Sequence, residues 1–277
     1  FNKLYDKKTK WIVHAARQDI EALYYLSNKI PNSIFDTQIA ASFLNYPLQI
    51  SYQELTESIQ NVHLEKKYTR FDWKKRPLPS DVLQYALDDV KYLIPIFKKL
   101  SKKLIEDEKL EWAEEDSKFL LDEDTYRPNL RQIIKKTKGI SKISPKYVNI
   151  AIDLIIWRES IAQKNNKPRK WIMSDEKLIN YAIGKNKLSS SANNSFKNFQ
   201  ENEKQNINFE GLIKIQKPLS DQEILIKKKL KDQINALSIK HKIPSELICT
   251  SKNLMNFIRG EDLLTINQGW RSKIFKI

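Results

Sequence analysis

The stretch Trp11-Ile12-Val13-His14-Ala15-Ala16-Arg17-Gln18-Asp19 begins with three apolar residues and ends on a carboxylate in a helical pattern. Trp11–Val13 is predicted to be a short buried strand, followed by a helix from about residue 18 to 26. A second apolar run, residues 33–35, precedes another helical pattern over 38–44. Because strands that alternate with helices are typical of α/β layers, this region is predicted to be α/β.

Downstream of this region the pattern is helical. A long helix is predicted to begin near Pro79-Ser80-Asp81, where a proline and a capping residue belong. Its predicted core face follows helical spacing through Val82, Ala86, Leu93, Phe97, Leu100 and Leu104. Further helices are predicted from Ser144-Pro145 through Ala162, after a cap at Ser174, and from Ser220 onward.

Three weaker signals complete this outline. Residues 101–126 are acidic and the next dozen are basic, which is typical of a connector between domains. The polar tract 189–195 is predicted to be a loop. The last helical segment, from Ser220 to the end, carries the apolar residues Leu225, Ile226, Leu230, Ile234 and Leu237.

The chain is strongly basic. Its 277 residues hold 49 Lys and Arg against 34 Asp and Glu, a net charge of +15. This excess lies mostly beyond residue 140 and favours a polyanionic partner, nucleic acid before membrane. A single cysteine, Cys249, excludes an intrachain disulfide framework, and no apolar run is long enough to cross a membrane. We expect a cytoplasmic protein.

Two patterns could carry chemistry. Tyr85 and Asp89 stand at i and i+4, so they share one helix face, where a carboxylate could bind metal beside a phenol. Asp19 falls in the first turn of its helix, where a carboxylate either supports the helix dipole or binds metal. His14 is interpreted as a packed residue at the end of a strand. Each pattern alone is more often structural than functional.

Taken together, four blocks occur in one order: His14-Ala-x-x-x-Asp19, Asp36-Thr37-Gln38, Asp72-Trp73 with Arg76-Pro77-Leu78, and Tyr85-Ala86-x-x-Asp89-Val90. This order resembles the ribonuclease D family of the DEDD superfamily of 3′–5′ exonucleases, in the branch with Tyr in its last motif. The resemblance implies a ribonuclease-H-like α/β exonuclease domain.

The later helices resemble a second kind of domain. Trp157-Arg158-Glu159, Asn166-x-Pro168-Arg169, Trp171-Ile172-Met173 and Asp175 are similar to the helicase-and-RNase-D C-terminal (HRDC) domain, and Gly269-Trp270-Arg271 to a second helical domain of ribonuclease D proteins. The implied organisation is a partial exonuclease domain at 1–104, a connector at 105–140, an HRDC domain at 141–216 and an HRDC-like all-α domain at 217–277. The resemblance covers essentially all 277 residues apart from a divergent stretch at about 185–212.

The resemblance also implies a reaction. Four carboxylates would hold two divalent cations, Mg²⁺ or Mn²⁺, and nucleotides would leave the RNA 3′ end as 5′-monophosphates. Carried over by motif, Asp19 and Asp89 would be metal ligands, and Tyr85 would orient or deprotonate the attacking water. Asp88 lies outside the motif and is excluded. Precursors of tRNA are the implied substrate, and no obligate protein partner is indicated.

One departure concerns the first motif of the family, Asp-x-Glu on the opening strand. No such motif precedes Trp11, and Asp221-Gln222-Glu223 lies in a helical pattern that does not qualify. We therefore expect a fragment that lacks its first strands, is inactive or nearly so, and exposes the sheet edge beside Trp11–Val13.

A basic cluster lies in the HRDC-like region: Lys164, Lys167, Arg169 and Lys170. These cations suit contact with nucleic-acid phosphates, and the nearby Trp157 and Trp171 are predicted to lie in the core. Two alternatives to the exoribonuclease stay open. One is a non-catalytic nucleic-acid-binding module of HRDC domains, and the other is a DNA-directed exonuclease of the same superfamily.

Overall fold

The computed structural model describes residues 2–127, 129–203, 212–213, 218–260 and 268–275. Contacts between residues divide the chain into two compact units. The first comprises Phe1–Tyr126 with Leu219–Ile277, and the second comprises Arg127–Pro218. The domain boundaries at residues 104, 140 and 216 stay predictions.

Within those ranges the first unit holds two strands and most of the helices. They are β1 (Trp11–Val13), α1 (Arg17–Ser27), β2 (Ile34–Asp36), α2 (Thr37–Ser42), α3 (Tyr52–Gln60), α4 (Ser80–Lys91), α5 (Leu93–Glu106) and α6 (Leu110–Ser117). The second unit holds α7 (Leu130–Lys136), α8 (Val148–Lys164), α9 (Arg169–Ile172), α10 (Asp175–Ala182) and α11 (Ser190–Asn198). The first unit then resumes with α12 (Asp221–His241), α13 (Ser245–Ile248), α14 (Ser251–Ile258) and α15 (Gly269–Ile274).

The predicted strand–helix–strand unit is present. Strands β1 and β2 pair in parallel, with Trp11 opposite Ile34 and Val13 opposite Asp36. Because successive strand residues point to opposite faces, Trp11 and Ile34 join one core cluster with α1 while Phe35 joins another. That second cluster also holds side chains of α5, α12 and α15, so the segment after residue 218 completes the core of the first unit.

The single long helix predicted from Pro79 onward is wrong, because the chain turns at Tyr92 between α4 and α5. Pro95 explains the break, since it has no N–H to donate to the carbonyl of Lys91 one turn earlier. Pro95 does not destabilise α5 itself, because it lies in the first turn, where backbone N–H groups have no partner within the helix. Ile96, Leu100 and Leu104 form the buried face of α5.

The second unit is built around α8. Trp157, 3% exposed, packs its ring edge-on against Phe196 with ring centroids 5.6 Å apart, and its indole N–H donates to the Ser195 hydroxyl at 3.1 Å. These contacts belong to α11, so the loop predicted at 189–195 is wrong. Ser189 caps that helix by accepting from the backbone N–H of Ala192.

The apolar residues of the last segment differ in burial. Leu230 and Ile234 are buried, but Leu225 and Ile226 on α12 are exposed. At the start of α12, Ser220 and Glu223 form a capping box, so Asp221-Gln222-Glu223 serves a helix start. Across the part of the chain that is described, no helix is long and apolar enough to cross a bilayer.

Candidate nuclease site

The turn between β1 and α1 positions Asp19. Ala15 takes a positive φ of 54° and Ala16 is fully buried, so small side chains allow the tight passage from strand to helix. Asp19 then lies one turn into α1, open to solvent on one side. Partial burial raises the pKa of its carboxyl, and the negative charge of Asp36 raises that pKa further.

Asp36 fixes this turn from the end of the neighbouring strand. Its carboxylate is 3% exposed and accepts from the backbone N–H groups of Ala15 at 3.0 Å and Ala16 at 2.8 Å. It also accepts from Gln38 N–H at 2.9 Å, which caps α2. Ile39 N–H is a fourth backbone donor, at 3.4 Å, and four such bonds to one carboxylate indicate a structural role that was not predicted from the sequence. The signal available was an Asp directly after a strand and before a helical pattern.

Helix α4 presents the other two predicted residues on one face. The ring of Tyr85 packs edge-on against Tyr68, with centroids 5.8 Å apart, and lies 6.1 Å from the ring of Trp73. Asp89 follows one turn later and is solvent-accessible. Partial burial raises the pKa of Asp89, and the charge of Asp88 adds to that rise. Asp88 itself accepts from the Gln84 side chain at 3.0 Å.

Tyr52 connects the two halves of the site, a role that the sequence analysis missed. Its hydroxyl donates to the backbone carbonyl of Asp88 at 3.2 Å and accepts from the backbone N–H of Tyr92 at 3.1 Å. Burial raises the pKa of Tyr52, and the nearby charge of Asp89 contributes to the rise. The ring of His14, next to Ala15, lies edge-on to Tyr52 at 5.7 Å.

The ring nitrogens of His14 are both used. Its Nε2 donates to the carbonyl of Ile50 at 3.0 Å, and its Nδ1 lies 3.0 Å from the Thr37 hydroxyl. Burial lowers the pKa of His14, so the ring is neutral at pH 7. His14 therefore holds the turn and is not free to bind a metal, in line with its interpretation as a packed residue.

A cavity of about 270 Å³ opens along α4, lined in part by Tyr68, Asp81, Tyr85, Asp88 and Asp89. Tyr68 donates a hydrogen bond to Asp81, which joins the loop before α4 to its first turn. The hydrogen bond from Tyr68 is the main reason that the pKa of Asp81 is lowered. The cavity thus offers carboxylates and phenols to a ligand that reaches α4.

The chemistry of Asp19 and Asp89 fits a divalent cation. Both are accessible carboxylates with raised pKa values, and hard cations prefer such oxygen ligands. Within the described residues neither is paired with a Lys or Arg. Across the described part of the chain, no group of three or more His, Cys, Asp or Glu side chains could hold a metal ion.

The predicted basic cluster lies in the second unit. Lys164 ends α8, Lys167 follows in the loop, and Lys170 lies on α9; all three are exposed. Arg169 is partly engaged, since its Nη1 donates to Glu159 at 3.4 Å. The cluster is thus open to solvent apart from Arg169.

The prediction that both tryptophans are core residues is wrong for Trp171, which is 77% exposed. It lies on α9, a helix of four residues, beside Lys170. A helix of four residues is too short to form a buried face, and its one large aromatic side chain is exposed to solvent.

Comparisons with known proteins agree with this geometry. Residues 1–105 match a family model described as a 3′–5′ exonuclease. Ribonuclease D of Bartonella henselae is 31% identical over 294 residues, which cover 99% of this chain and 72% of the relative. Ribonuclease D of a Jannaschia species is 35% identical over 171 residues, 62% of this chain and 44% of the relative.

A solved structure shares the fold. The crystal structure of Escherichia coli RNase D, described as an exoribonuclease involved in structured RNA processing, superimposes with a TM-score of 0.81. It is 21% identical in sequence, and the match covers 98% of this chain and 78% of that one.

The fold and the matched residues define a nuclease with a 3′–5′ exonuclease domain at its N-terminal side. The chain belongs to the ribonuclease D family. It spans less than half the length of several curated relatives, including ribonuclease D of Nitrobacter hamburgensis at 48%.

Proposed function

We propose that this protein removes nucleotides from the 3′ end of RNA as 5′-monophosphates. The observation that carries the proposal is the shared face of α4, where Tyr85 and Asp89 line one cavity. A carboxylate that binds a divalent cation, beside a phenol that holds the attacking water, suits hydrolysis of a terminal phosphodiester.

In this proposal Asp19 and Asp89 hold the divalent cations, Mg²⁺ or Mn²⁺. When bound, the cations would polarise the scissile phosphate and lower the pKa of water. Tyr85 orients the attacking water through its hydroxyl or, as the phenolate, takes up the proton of that water. Asp36, His14 and Tyr52 keep the two carboxylate-bearing segments in place through the hydrogen bonds and ring contact described above.

RNA is the proposed substrate, with tRNA precursors as the physiological class. The net charge of +15 supports a polyanion, and the similar protein from E. coli is an exoribonuclease that acts on structured RNA. We assign the second unit as the HRDC domain, with Lys164, Lys167, Arg169 and Lys170 on phosphates, and the helices after residue 218 as the HRDC-like segment. A cytoplasmic location fits this role.

The test is to incubate the chain with a 3′-extended RNA and Mg²⁺ or Mn²⁺ and to separate the released nucleotides. The described residues supply two of the four carboxylates that the resemblance implies, so we expect slow release that increases with metal concentration. Asp89→Ala should abolish it, and a Lys102→Gln control should not. Release that persists in Asp89→Ala would contradict the proposal.

A second candidate is a non-catalytic RNA-binding module. It is favoured by the lack of any group of three metal-binding side chains among the described residues. Binding of RNA without metal-dependent release at any metal concentration would support it. A DNA-directed exonuclease is the third candidate, which matched RNA and DNA substrates would distinguish by the 2′-hydroxyl.

A further inference from the structure

A second cavity, of about 570 Å³, lies in the first unit and shares no lining residue with the one along α4. Of the described residues that line it, four are lysines and one is a carboxylate: Lys99, Lys103, Lys109, Lys242 and Asp107. The rest of the wall is largely apolar and includes Leu44, Tyr46 and Ile59. The cavity therefore combines concentrated positive charge with an apolar side.

Lys109 gives the cavity a buried cation. The residue is 6% exposed, and its ammonium donates to the carbonyl of Phe43 at 3.1 Å and lies 3.9 Å from Asp107. Burial lowers the pKa of Lys109. Asp107 opposes this effect, and the charges of Lys242 and Lys103 add to it. An ammonium held this way is stabilised by an anion that enters the cavity.

The single lining carboxylate does not neutralise the other lysines. Lys103 lies 3.1 Å from Asp107 and 3.7 Å from Glu106, which lies outside the lining, and Lys109 shares the charge of Asp107. Lys99, one helical turn before Lys103 on α5, donates to the carbonyl of Ile59 at 2.7 Å. Among the described residues, Lys99 and Lys242 have no carboxylate within ion-pair distance.

We propose that this cavity binds a phosphomonoester of the nucleotide class. The phosphate would lie among Lys103, Lys109 and Lys242, and the nucleoside would lie against Tyr46 and Ile59. A terminal phosphate carries nearly two negative charges and can reach the buried ammonium. A phosphodiester within a strand carries one charge and is flanked by sugars on both sides. The inference stands without the proposed exonuclease activity.

Calorimetric titration of the full chain in EDTA tests this site without loading the metal ligands. The probes are AMP, adenosine, and a short oligonucleotide with either a 5′-phosphate or a 5′-hydroxyl. We expect AMP to bind at least about tenfold more tightly than adenosine. The double variant Lys103→Gln and Lys242→Gln should lose that advantage, while Lys98→Gln with Lys102→Gln, on exposed positions of the same helix, should keep it.

Thermal melting checks that the variants fold, and Lys242→Gln alone, at an exposed side chain, serves if the double variant does not. If the 5′-phosphate strengthens binding of the oligonucleotide as much as the phosphate of AMP strengthens binding over adenosine, the end of an RNA is a source of the bound phosphate. If only AMP binds more tightly than its unphosphorylated counterpart, the source of the phosphate is a free nucleotide. Equal binding of AMP and adenosine, or equal losses in cavity and control variants, would overturn the proposal.

Discussion

Arg271 donates two parallel hydrogen bonds to Asp116, from Nη1 to Oδ1 and from Nη2 to Oδ2, each 2.7 Å long. The adjacent Trp270 stacks on Trp112 with ring centroids 4.8 Å apart and donates its indole N–H to Asp116 at 2.9 Å. Residues more than 150 positions apart in sequence thus complete one core. The Gly-Trp-Arg motif thus attaches α15 to α6 within the first unit.

The bidentate pair leads to a stability prediction. Arg271→Lys cannot make two parallel bonds, so it should lower the free energy of unfolding by about 2 kcal/mol in urea titrations. Glu114→Ala breaks an exposed ion pair with Lys10 and serves as the control, with an expected loss of at most about 0.5 kcal/mol. Equal losses in the two variants would show that the two parallel hydrogen bonds add no stability beyond that of an exposed ion pair.

Gly269 is required for two reasons. Its φ is +58°, and a Cβ there would displace the carboxylate of Glu115, which accepts from the backbone N–H of Trp270 at 3.1 Å. Gly260 has a φ of +67° but open space around a Cβ. We expect Gly260→Ala to cost about 1 kcal/mol from backbone strain alone, and Gly269→Ala to cost clearly more. Thermal unfolding of both variants measures the difference, and no difference would contradict the steric argument.

Acid should weaken the second unit through Asp175. Burial raises the pKa of Asp175, but hydrogen bonds from the fully buried Arg158 and from the backbone of Lys138 outweigh burial and hold the pKa below 3.8. Since the folded form binds fewer protons, the stabilisation is complete above the unfolded pKa and disappears as pH falls through the folded pKa.

The variant that tests this is Asp175→Asn, which keeps the shape but removes the charge. We expect it to flatten the fall of stability below about pH 4 and to cost about 3 kcal/mol at pH 7, because Arg158 loses its hydrogen-bonded carboxylate at 2.7 Å and keeps only Glu159 at 3.8 Å. Urea titrations at several pH values measure both effects. An unchanged pH profile would show that this pair does not set the acid response.

Trp171 gives a prediction about RNA binding. A 77% exposed ring beside Lys170 can stack on an unpaired base, so Trp171→Ala should weaken RNA binding by about 1–3 kcal/mol and leave stability unchanged. Trp157→Ala, at a buried ring, should instead destabilise the fold by about 3–5 kcal/mol. Filter binding and thermal melting of both variants distinguish the two roles. Unchanged RNA affinity in Trp171→Ala would exclude base stacking.

Tyr85 is expected to affect the rate but not the binding of RNA. Tyr85→Phe keeps the ring contacts with Tyr68 and Trp73 but removes the hydroxyl that would hold the attacking water. We expect release of nucleotides to slow by about a hundredfold with RNA affinity unchanged. The exposed Tyr25 supplies a control, since Tyr25→Phe should change neither quantity. An equal rate in Tyr85→Phe would leave the hydroxyl without a role.

Local patterns predicted the strand–helix–strand unit because alternation and helical spacing reflect burial directly. These patterns mispredicted the secondary structure where contacts with residues distant in sequence determine it. The polar tract 189–195 is helical because Phe196 and Ser195 contact Trp157. The break after α4 has a different cause, since Pro95 is a local signal against one continuous helix. The candidate site followed the same rule: Asp19 and Asp89 come from motif order, whereas the roles of Asp36 and Tyr52 depend on residues far away in sequence.

The central claim is that Asp19 and Asp89 bind a divalent cation, and titration with Mn²⁺ followed by electron paramagnetic resonance tests it most directly. The parent chain should take up Mn²⁺, and Asp89→Ala and Asp19→Ala should each weaken that binding by at least about tenfold. Asp88→Ala, one position away and outside the motif, should stay within about threefold of the parent. Mn²⁺ binding that is unchanged in Asp89→Ala would contradict the account.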